Sequence, residues 1–276
     1  MSRMSNSWAM LKASATVLRL DTELLIFPLL STLAVILITV SLVALIMFFG
    51  GSEALDGPGY LVYSGGFVFY LILYTVIFFF NAGLVGATLI RLDGGDPTVG
   101  DGMNIATKKL PTILGYAVIA ATVGMVLRAI EERVGALGRI VVGLIGMSWA
   151  LTTYLTVPVL VSKDVGAIDA VKESASIFRR TWGEQVVGNA GIGLATFLLF
   201  ALMTAVGVPL VILVSSINEA FAIPMGITLG VGYFFLARVS AALQGIYSAA
   251  LYRFATTGDA DEHFNAAMMD QAFRPK

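Results

Sequence analysis

The sequence predicts an all-α polytopic membrane protein in which six transmembrane helices form three parallel hairpins, each preceded by an amphipathic helix at the inner interface. Three observations predict this fold class: 58% of the 276 residues are hydrophobic, only 13% are charged, and long stretches carry no charge. Soluble domains are about half apolar and about a quarter charged, so this chain has too little charge to cover a surface in water. We therefore expect a bilayer to surround most of it.

Composition also limits the chemistry. The chain has no cysteine and one histidine, His263, which excludes disulfides, thiol nucleophiles, Cys/His zinc sites and histidine-based catalytic triads. A net charge of −1 provides no basic field for phosphates, and no glycine-rich nucleotide-binding motif occurs. We therefore predict that the protein is not an enzyme, binds no cofactor or metal ion, and takes neither nucleic acid nor nucleotide as a partner.

Uncharged stretches mark the membrane-spanning helices, because a hydrocarbon core of about 30 Å requires roughly 20 apolar helical residues. The third stretch is the shortest, and we expect it to depend on the fourth as its hairpin partner. The six predicted spans are 24–49, 60–90, 111–127, 140–162, 185–218 and 220–252, the last interrupted by Arg238.

The distribution of basic residues predicts the orientation. Of the 17 Lys and Arg residues, 13 lie on the side that holds both termini and the second and fourth loops, against three (Arg128, Arg133 and Arg139) on the other side. The positive-inside bias then places both termini in the cytoplasm and the protein in the plasma (inner) membrane. We predict one membrane domain over residues 1–276, with an uncleaved N-terminus and a cytoplasmic tail at 254–276.

Three amphipathic helices are predicted on the inner surface, one before each hairpin, from apolar residues spaced three and four apart. They should lie flat on the membrane, and the second should begin with Asp96 as N-cap and Pro97 at the first helical position. Their apolar stripes are Trp8, Leu11, Ala15 and Leu18, then Val99, Met103, Thr107 and Leu110, then Ile168, Val171, Ala175 and Phe178.

The first and third of these helices also share identical residues at an offset of 160 positions: Lys12, Ser14, Ala15 and Arg19 recur as Lys172, Ser174, Ala175 and Arg179. This predicts three repeat units, 5–92, 96–163 and 164–253, related by an axis along the membrane normal. The alternative is that any six-span protein needs basic inner segments to fix its topology.

Polar residues inside the spans are the candidate functional site. Arg238 is the most telling, because a central arginine costs about 3 kcal/mol on insertion scales and needs a partner or water. A partner is available in the charge cluster of Arg128, Glu131 and Glu132, where either glutamate could reach it. The functional interpretation is an anion or proton site, and the alternative is a buried polar clamp that fixes helix register. The intramembrane polar set is Asn81, Asn189, Arg238 and Gln244.

Two further sets predict association. Basic and aromatic residues near the inner surface are expected to bind anionic lipid headgroups: Trp8, Lys12, Arg19, Lys172, Arg179, Arg180 and Trp182. Small residues along the last span allow close helix approach, either within the chain or against a second copy: Gly226, Gly230, Ala237, Ala241, Gly245 and Ala249.

Several stretches together resemble a known family: GGDPTV at 94–99, RAIEER at 128–133, TWGEQVVGN at 181–189, QGIYSAALYRFA at 244–255 and AFRPK at 272–276. The chain is similar over nearly its whole length to prokaryotic six-helix integral membrane proteins catalogued only as a domain of unknown function. The resemblance implies a prokaryotic membrane location and no catalytic residues.

These observations favour a non-enzymatic inner-membrane protein that acts by association with lipid, with its own copies or with a partner membrane protein. The alternative is a transporter or channel with a polar path between the three hairpins, lined by the intramembrane polar set. A path of that kind requires these residues to converge on one water-accessible cavity, whereas an association protein pairs them off individually and keeps a dry centre.

Overall fold

The computed structural model describes residues 3–49, 59–182, 191–258 and 264, with side chains at 10–49, 63–179, 196–258 and 264. All regular structure in these ranges is helical, which confirms the all-α prediction. The helices there are α1 (Arg3–Leu20), α2 (Ile26–Phe48), α3 (Gly59–Leu92), α4 (Val99–Lys108), α5 (Leu110–Glu131), α6 (Ala136–Thr152), α7 (Thr156–Ser162), α8 (Ala167–Trp182), α9 (Gly191–Ile217) and α10 (Ala222–Thr257).

Six helical segments within the described ranges are long and apolar enough to cross a membrane, as predicted. The third extends past its predicted end at residue 127 to Glu131. The predicted span ended before the first charged residue, Arg128, whereas the helix continues through it. The segments are Thr22–Phe48, Tyr63–Leu92, Leu110–Glu131, Ala136–Ser162, Thr196–Ile217 and Glu219–Thr257.

The chain forms two compact units. The first consists of Met1–Leu25 and Trp182–Lys276, and the second of Ile26–Thr181. In the first unit, α1 packs against α9 and α10. The most buried residues described on α1 are Met10, Ser14 and Val17, each at most 3% exposed, while Lys12 and Arg19 of the same helix are exposed. Protein contacts therefore cover a face of α1 that lies beside the predicted apolar stripe.

In the second unit, α3 and α4 approach closely because glycine occupies both sides of the contact. A Cβ atom on Gly102 would lie 2.6 Å from the carbonyl oxygen of Gly83 and 2.4 Å from Cζ of Phe27. A Cβ atom on Gly86 would lie 2.9 Å from Cγ2 of Ile105. The two helices therefore pack main chain against main chain, with the Phe27 ring filling the side of the contact.

Helix α4 begins with a capping box. The Thr98 hydroxyl oxygen accepts a hydrogen bond from the Asp101 amide (3.2 Å), and Asp101 Oδ2 accepts one from the Thr98 amide (2.9 Å). Hydrogen bonds from the hydroxyl and amide of Thr98 hold the pKa of Asp101 below its usual range. The prediction that Asp96 is the N-cap is wrong: Asp96 pairs with Arg91 (2.6 Å), because the Thr-x-x-Asp pattern two residues later satisfies two amides instead of one.

Replacement of Gly102 tests the α3–α4 contact. Gly102→Ala should lower the free energy of unfolding in detergent by about 1–3 kcal/mol, because the added methyl group meets backbone that cannot rotate away. Gly100→Ala is the matched control in the same helix: its Cβ atom would meet only the Thr98 hydroxyl oxygen, at 3.5 Å, and stability should hold or rise slightly. Equal losses in the two variants would contradict the contact.

Candidate functional site

The structure describes three of the four intramembrane polar residues, and the two on α10 lie on different sides of that helix. Asn81 is half-buried in α3 of the second unit, and Arg238 and Gln244 lie in α10 of the first. Six positions separate the two α10 residues, which at about 100° per residue places them roughly 120° apart around the helix. Gln244 is exposed, and Asn189 lies outside the described residues.

Arg238 has an aromatic contact within its own helix. Its guanidinium carbon lies 5.7 Å from the centroid of the Phe234 ring, one turn earlier. A cation over an aromatic face gains about 0.5–2 kcal/mol, and more when both groups are away from water. The predicted pairing of Arg238 with Glu131 or Glu132 involves residues of both units and stays a prediction.

The charge cluster at the end of α5 joins two helices. Arg128 Nε donates to Glu132 Oε1 (3.2 Å), as the spacing of four residues predicts, and Arg128 Nη1 donates to the Tyr70 hydroxyl of α3 (2.7 Å). Both charged side chains are about two-thirds exposed (64% and 66%), and Glu131 is exposed as well. The cluster therefore ties the end of α5 to α3 at a water-accessible position.

An aromatic ladder continues from this cluster along α3 and α5. Tyr70, Tyr74 and Phe78 occupy every fourth position of α3, and Phe78 stacks on Tyr116 of α5, which is 4% exposed. Successive ring centroids are 6.4, 5.6 and 4.4 Å apart, with the planes within 30° of parallel. Rings therefore fill the α3–α5 interface. Sequence reasoning missed this ladder, although the four-residue spacing of aromatic residues in the second span was a usable signal.

Most threonines in the candidate spans bond to their own helix. Each hydroxyl donates to the carbonyl oxygen four residues earlier, so its proton is satisfied without a neighbouring helix. The distances are 2.7–2.9 Å for Thr32, Thr39, Thr75, Thr88, Thr122, Thr204 and Thr228. The Thr204 hydroxyl also contacts the Tyr233 hydroxyl (2.5 Å), which links α9 to α10.

The fourth span is broken, which the sequence analysis did not predict. Helix α6 ends at Thr152 and α7 begins at Thr156, because Pro158 cannot donate to the carbonyl four residues earlier and its ring crowds that carbonyl. Ser174 of α8 closes the break: its hydroxyl donates to the Thr152 carbonyl oxygen (2.7 Å) and accepts from the Leu155 amide (3.1 Å). Ser174 is fully buried.

Polar contacts hold α8 at the ends of two spans. Lys109 Nζ, at the start of α5, donates to the Lys163 carbonyl oxygen (2.7 Å), and the Lys163 ammonium group pairs with Glu173 of α8. A Cβ atom on Gly115 of α5 would lie 3.1 Å from Cβ of Ala167, the first residue of α8. Helix α8 therefore begins beside α5, about one turn and a half from the Leu110 end of that helix.

The remaining surface of α8 has two parts, an apolar stripe that is partly exposed and a charged face that is exposed. Ile168 is 62% exposed on the apolar stripe. Lys172 and Arg179 are exposed on the charged face, where Lys172 lies 3.7 Å from Asp169. The backbones of Arg180 and Trp182 continue α8, and that of Trp8 lies in α1, but their side chains are outside the described set.

The small-residue face of α10 divides along its length. Gly245 and Ala249 are buried, Ala237 is half-buried, and Gly226, Gly230 and Ala241 are exposed. Contacts between α9 and α10 use other glycines: a Cβ atom on Gly232 would lie 2.4 Å from Cε of Met203, and one on Gly207 would lie 2.5 Å from Cδ1 of Leu229.

Neither the geometry nor the comparisons assign a chemistry to these residues. Within the described ranges, no three histidine or carboxylate side chains gather as metal ligands. No curated protein and no solved structure matches the chain. One family model matches residues 59–262, which span most of the chain from α3 to the end of α10. The protein is therefore a member of the family of unknown function DUF6159.

Proposed function

We propose that the chain is a non-enzymatic, multi-pass protein of the plasma membrane that acts by association, through its inner helices, with anionic lipid headgroups. One observation carries the proposal: the described cations of α1 and α8 (Lys12, Arg19, Lys172 and Arg179) are exposed, while Arg128, Arg238 and Thr204 of the candidate spans contact nearby side chains. Self-association and a partner membrane protein are further forms of association open to the same surfaces.

Individual pairing of polar groups supports association over a conduit. Arg128 bonds to Glu132 and Tyr70, Arg238 lies over Phe234, and Thr204 contacts Tyr233. Stacked rings fill the α3–α5 interface where a water path would otherwise run. This is the arrangement expected of a dry, packed interior.

The exposed faces of α8 support a lipid as the ligand. An apolar stripe containing Ile168 lies beside a charged face containing Lys172 and Arg179, which is the pattern of a helix at the headgroup boundary. The attachment of α8 to the ends of α5 and α7 places these residues next to candidate membrane spans. Each basic side chain near an anionic surface contributes about 1 kcal/mol of attraction.

We also propose that the three inner helices belong to repeated units. Equivalent positions are buried in all three: Met10, Gly102 and Ala170, then Ser14, Ala106 and Ser174, at offsets of 92 and 68 residues. Near the ends of the second, fourth and sixth spans, three buried hydroxyl residues (Thr88, Thr156 and Ser248) correspond at offsets of 68 and 92. Two sets of matching buried positions, one in the inner helices and one in the spans, are harder to attribute to chance than a single set.

Removal of the α8 cations tests the proposed lipid binding. Lys172→Gln with Arg179→Gln should weaken retention of phosphatidylglycerol relative to phosphatidylcholine by about tenfold or more, because two headgroup attractions are lost. Native mass spectrometry of protein purified with its lipids measures the ratio. Arg133→Gln with Arg139→Gln removes the same charge from the loop after α5 and the first turn of α6 and should leave the ratio unchanged. If both pairs behave alike, the proposal fails.

The proposed orientation has both termini in the cytoplasm, supported by the Lys and Arg count. The absence of native cysteine makes single-cysteine labelling clean. Thr257→Cys, at the end of α10, should react with an impermeant maleimide only after the cells are opened. Leu137→Cys, 81% exposed at the start of α6, should react in intact cells. Reaction of Thr257→Cys in intact cells would reverse the orientation.

The broken fourth span favours a transporter or channel as the second candidate, because interrupted helices often line substrate sites in transporters. The break lies near three buried hydroxyl groups, those of Tyr116, Thr153 and Thr156. Reconstituted protein should nevertheless show no ion conductance or solute uptake above that of empty vesicles. Flux that Thr156→Val abolishes and the exposed Thr122→Val retains would establish this candidate over association.

A further inference from the structure

We infer that α8 couples the charge of the membrane surface to the break in the fourth span, with Ser174 as the link. This inference rests on the proposed binding of anionic lipid by α8. The ligand is the headgroup of an anionic lipid in the bilayer, and the responding element is the turn at 153–155. Nothing in this coupling requires a covalent step.

Ser174 holds both open ends of the break. Its hydroxyl donates to the Thr152 carbonyl oxygen on one side (2.7 Å) and accepts from the Leu155 amide on the other (3.1 Å). Because Ser174 is fully buried, the Thr152 carbonyl and the Leu155 amide meet its hydroxyl and not bulk water while α8 stays in this position. A buried main-chain group that loses its partner costs more free energy than an exposed one, so the turn depends on the position of α8.

The same helix carries the cations that the proposed function places at the membrane surface. Lys172 precedes Ser174 by two residues and Arg179 follows it by five, and both are exposed. At about 100° per residue, these side chains lie roughly 140–160° around the helix from the buried serine. A headgroup that binds them therefore acts on the face almost opposite the clamp, and a helix transmits a displacement or rotation from one face to the other as a unit.

Two ion pairs involve side chains of α8, and one of them opposes free movement of the helix. The Lys163–Glu173 ion pair holds the helix one residue before Ser174, and Asp169 lies 3.7 Å from Lys172. Both pairs are at least partly exposed, so solvent weakens them and each contributes little on its own. Headgroup binding to Lys172 and Arg179 adds attraction of similar size and so favours the position of α8 in which Ser174 closes the break.

Hydrogen exchange at the Leu155 amide reports on the clamp directly, because Ser174 is the acceptor of that amide. The full chain is reconstituted in phosphatidylcholine alone or in an equimolar mixture with phosphatidylglycerol, and exchange is followed by mass spectrometry of peptides covering residues 150–160. Wild-type exchange should be several-fold slower in the anionic mixture. Inorganic phosphate added to the phosphatidylcholine sample should not slow it, and slowing by phosphate would assign the site to a free anion instead.

Variants separate the clamp from the lipid contact. Ser174→Ala should accelerate exchange at Leu155 about fivefold or more in both lipids and remove the lipid response. Ser176→Ala is the matched control on the exposed side of the same helix and should behave like wild type. Lys172→Gln with Arg179→Gln should show the same exchange in the two lipids, because the slowing by phosphatidylglycerol is lost.

The outcomes also distinguish this inference from the proposed function. Equal wild-type exchange in the two lipids, with selective lipid retention intact, would overturn the coupling and leave lipid binding in place. A lipid response that survives in Ser174→Ala would overturn the role of the serine. If Ser174→Ala does not fold, the comparison of wild type with Lys172→Gln and Arg179→Gln in the two lipids still decides whether surface charge reaches the break.

Discussion

Hydrocarbon offers no hydrogen-bonding partner, so the protein itself must satisfy each main-chain amide and carbonyl within a span. At 153–155, Pro158 interrupts the hydrogen bonds of the fourth span, so main-chain groups there need a partner from another helix. Ser174 meets this need by bonding to both sides of the break. The place of α8, and with it the exposure of Lys172 and Arg179, follows from that need.

A comparison with α3 and α4 shows what the break requires. Under the proposed repeat, at the offset of 68 residues, Pro158 corresponds to Ile90 and Ser174 to Ala106. Helix α3 continues unbroken through Ile90 to Leu92, so α4 has no open main-chain groups to satisfy there and can bury a methyl group instead. The α3–α4 contact is made by glycine backbones. Where the span is intact, close packing is sufficient, and where it is broken, a hydroxyl is needed.

The sequence predicted the number, order and approximate bounds of the spans, because a long uncharged stretch has few fates other than burial in lipid. It did not predict features that depend on a second element. Ser174 was noted only for its identity with Ser14, since the break it closes lies 19 residues away. The buried face of α1 lies beside the predicted stripe, because α9 and α10 pack there. The Tyr70–Tyr74–Phe78 ladder forms part of a helix interface only through its contact with Tyr116, which lies on another helix.

Local satisfaction of polar groups also limits what could cross the membrane through the described spans. A threonine whose proton bonds to its own helix can accept a hydrogen bond but has no proton to offer. An anion path requires donors, and the strongest, Arg128 and Arg238, are engaged by Glu132 and Tyr70 and by the Phe234 ring. A cation path requires several oxygens directed at one point: these threonine hydroxyls are distributed along five of the spans, and the buried hydroxyls of Tyr116, Thr153 and Thr156 gather beside the break. Under the proposed function, the exposed cations of α1 and α8 recognise charge, and the interior packs.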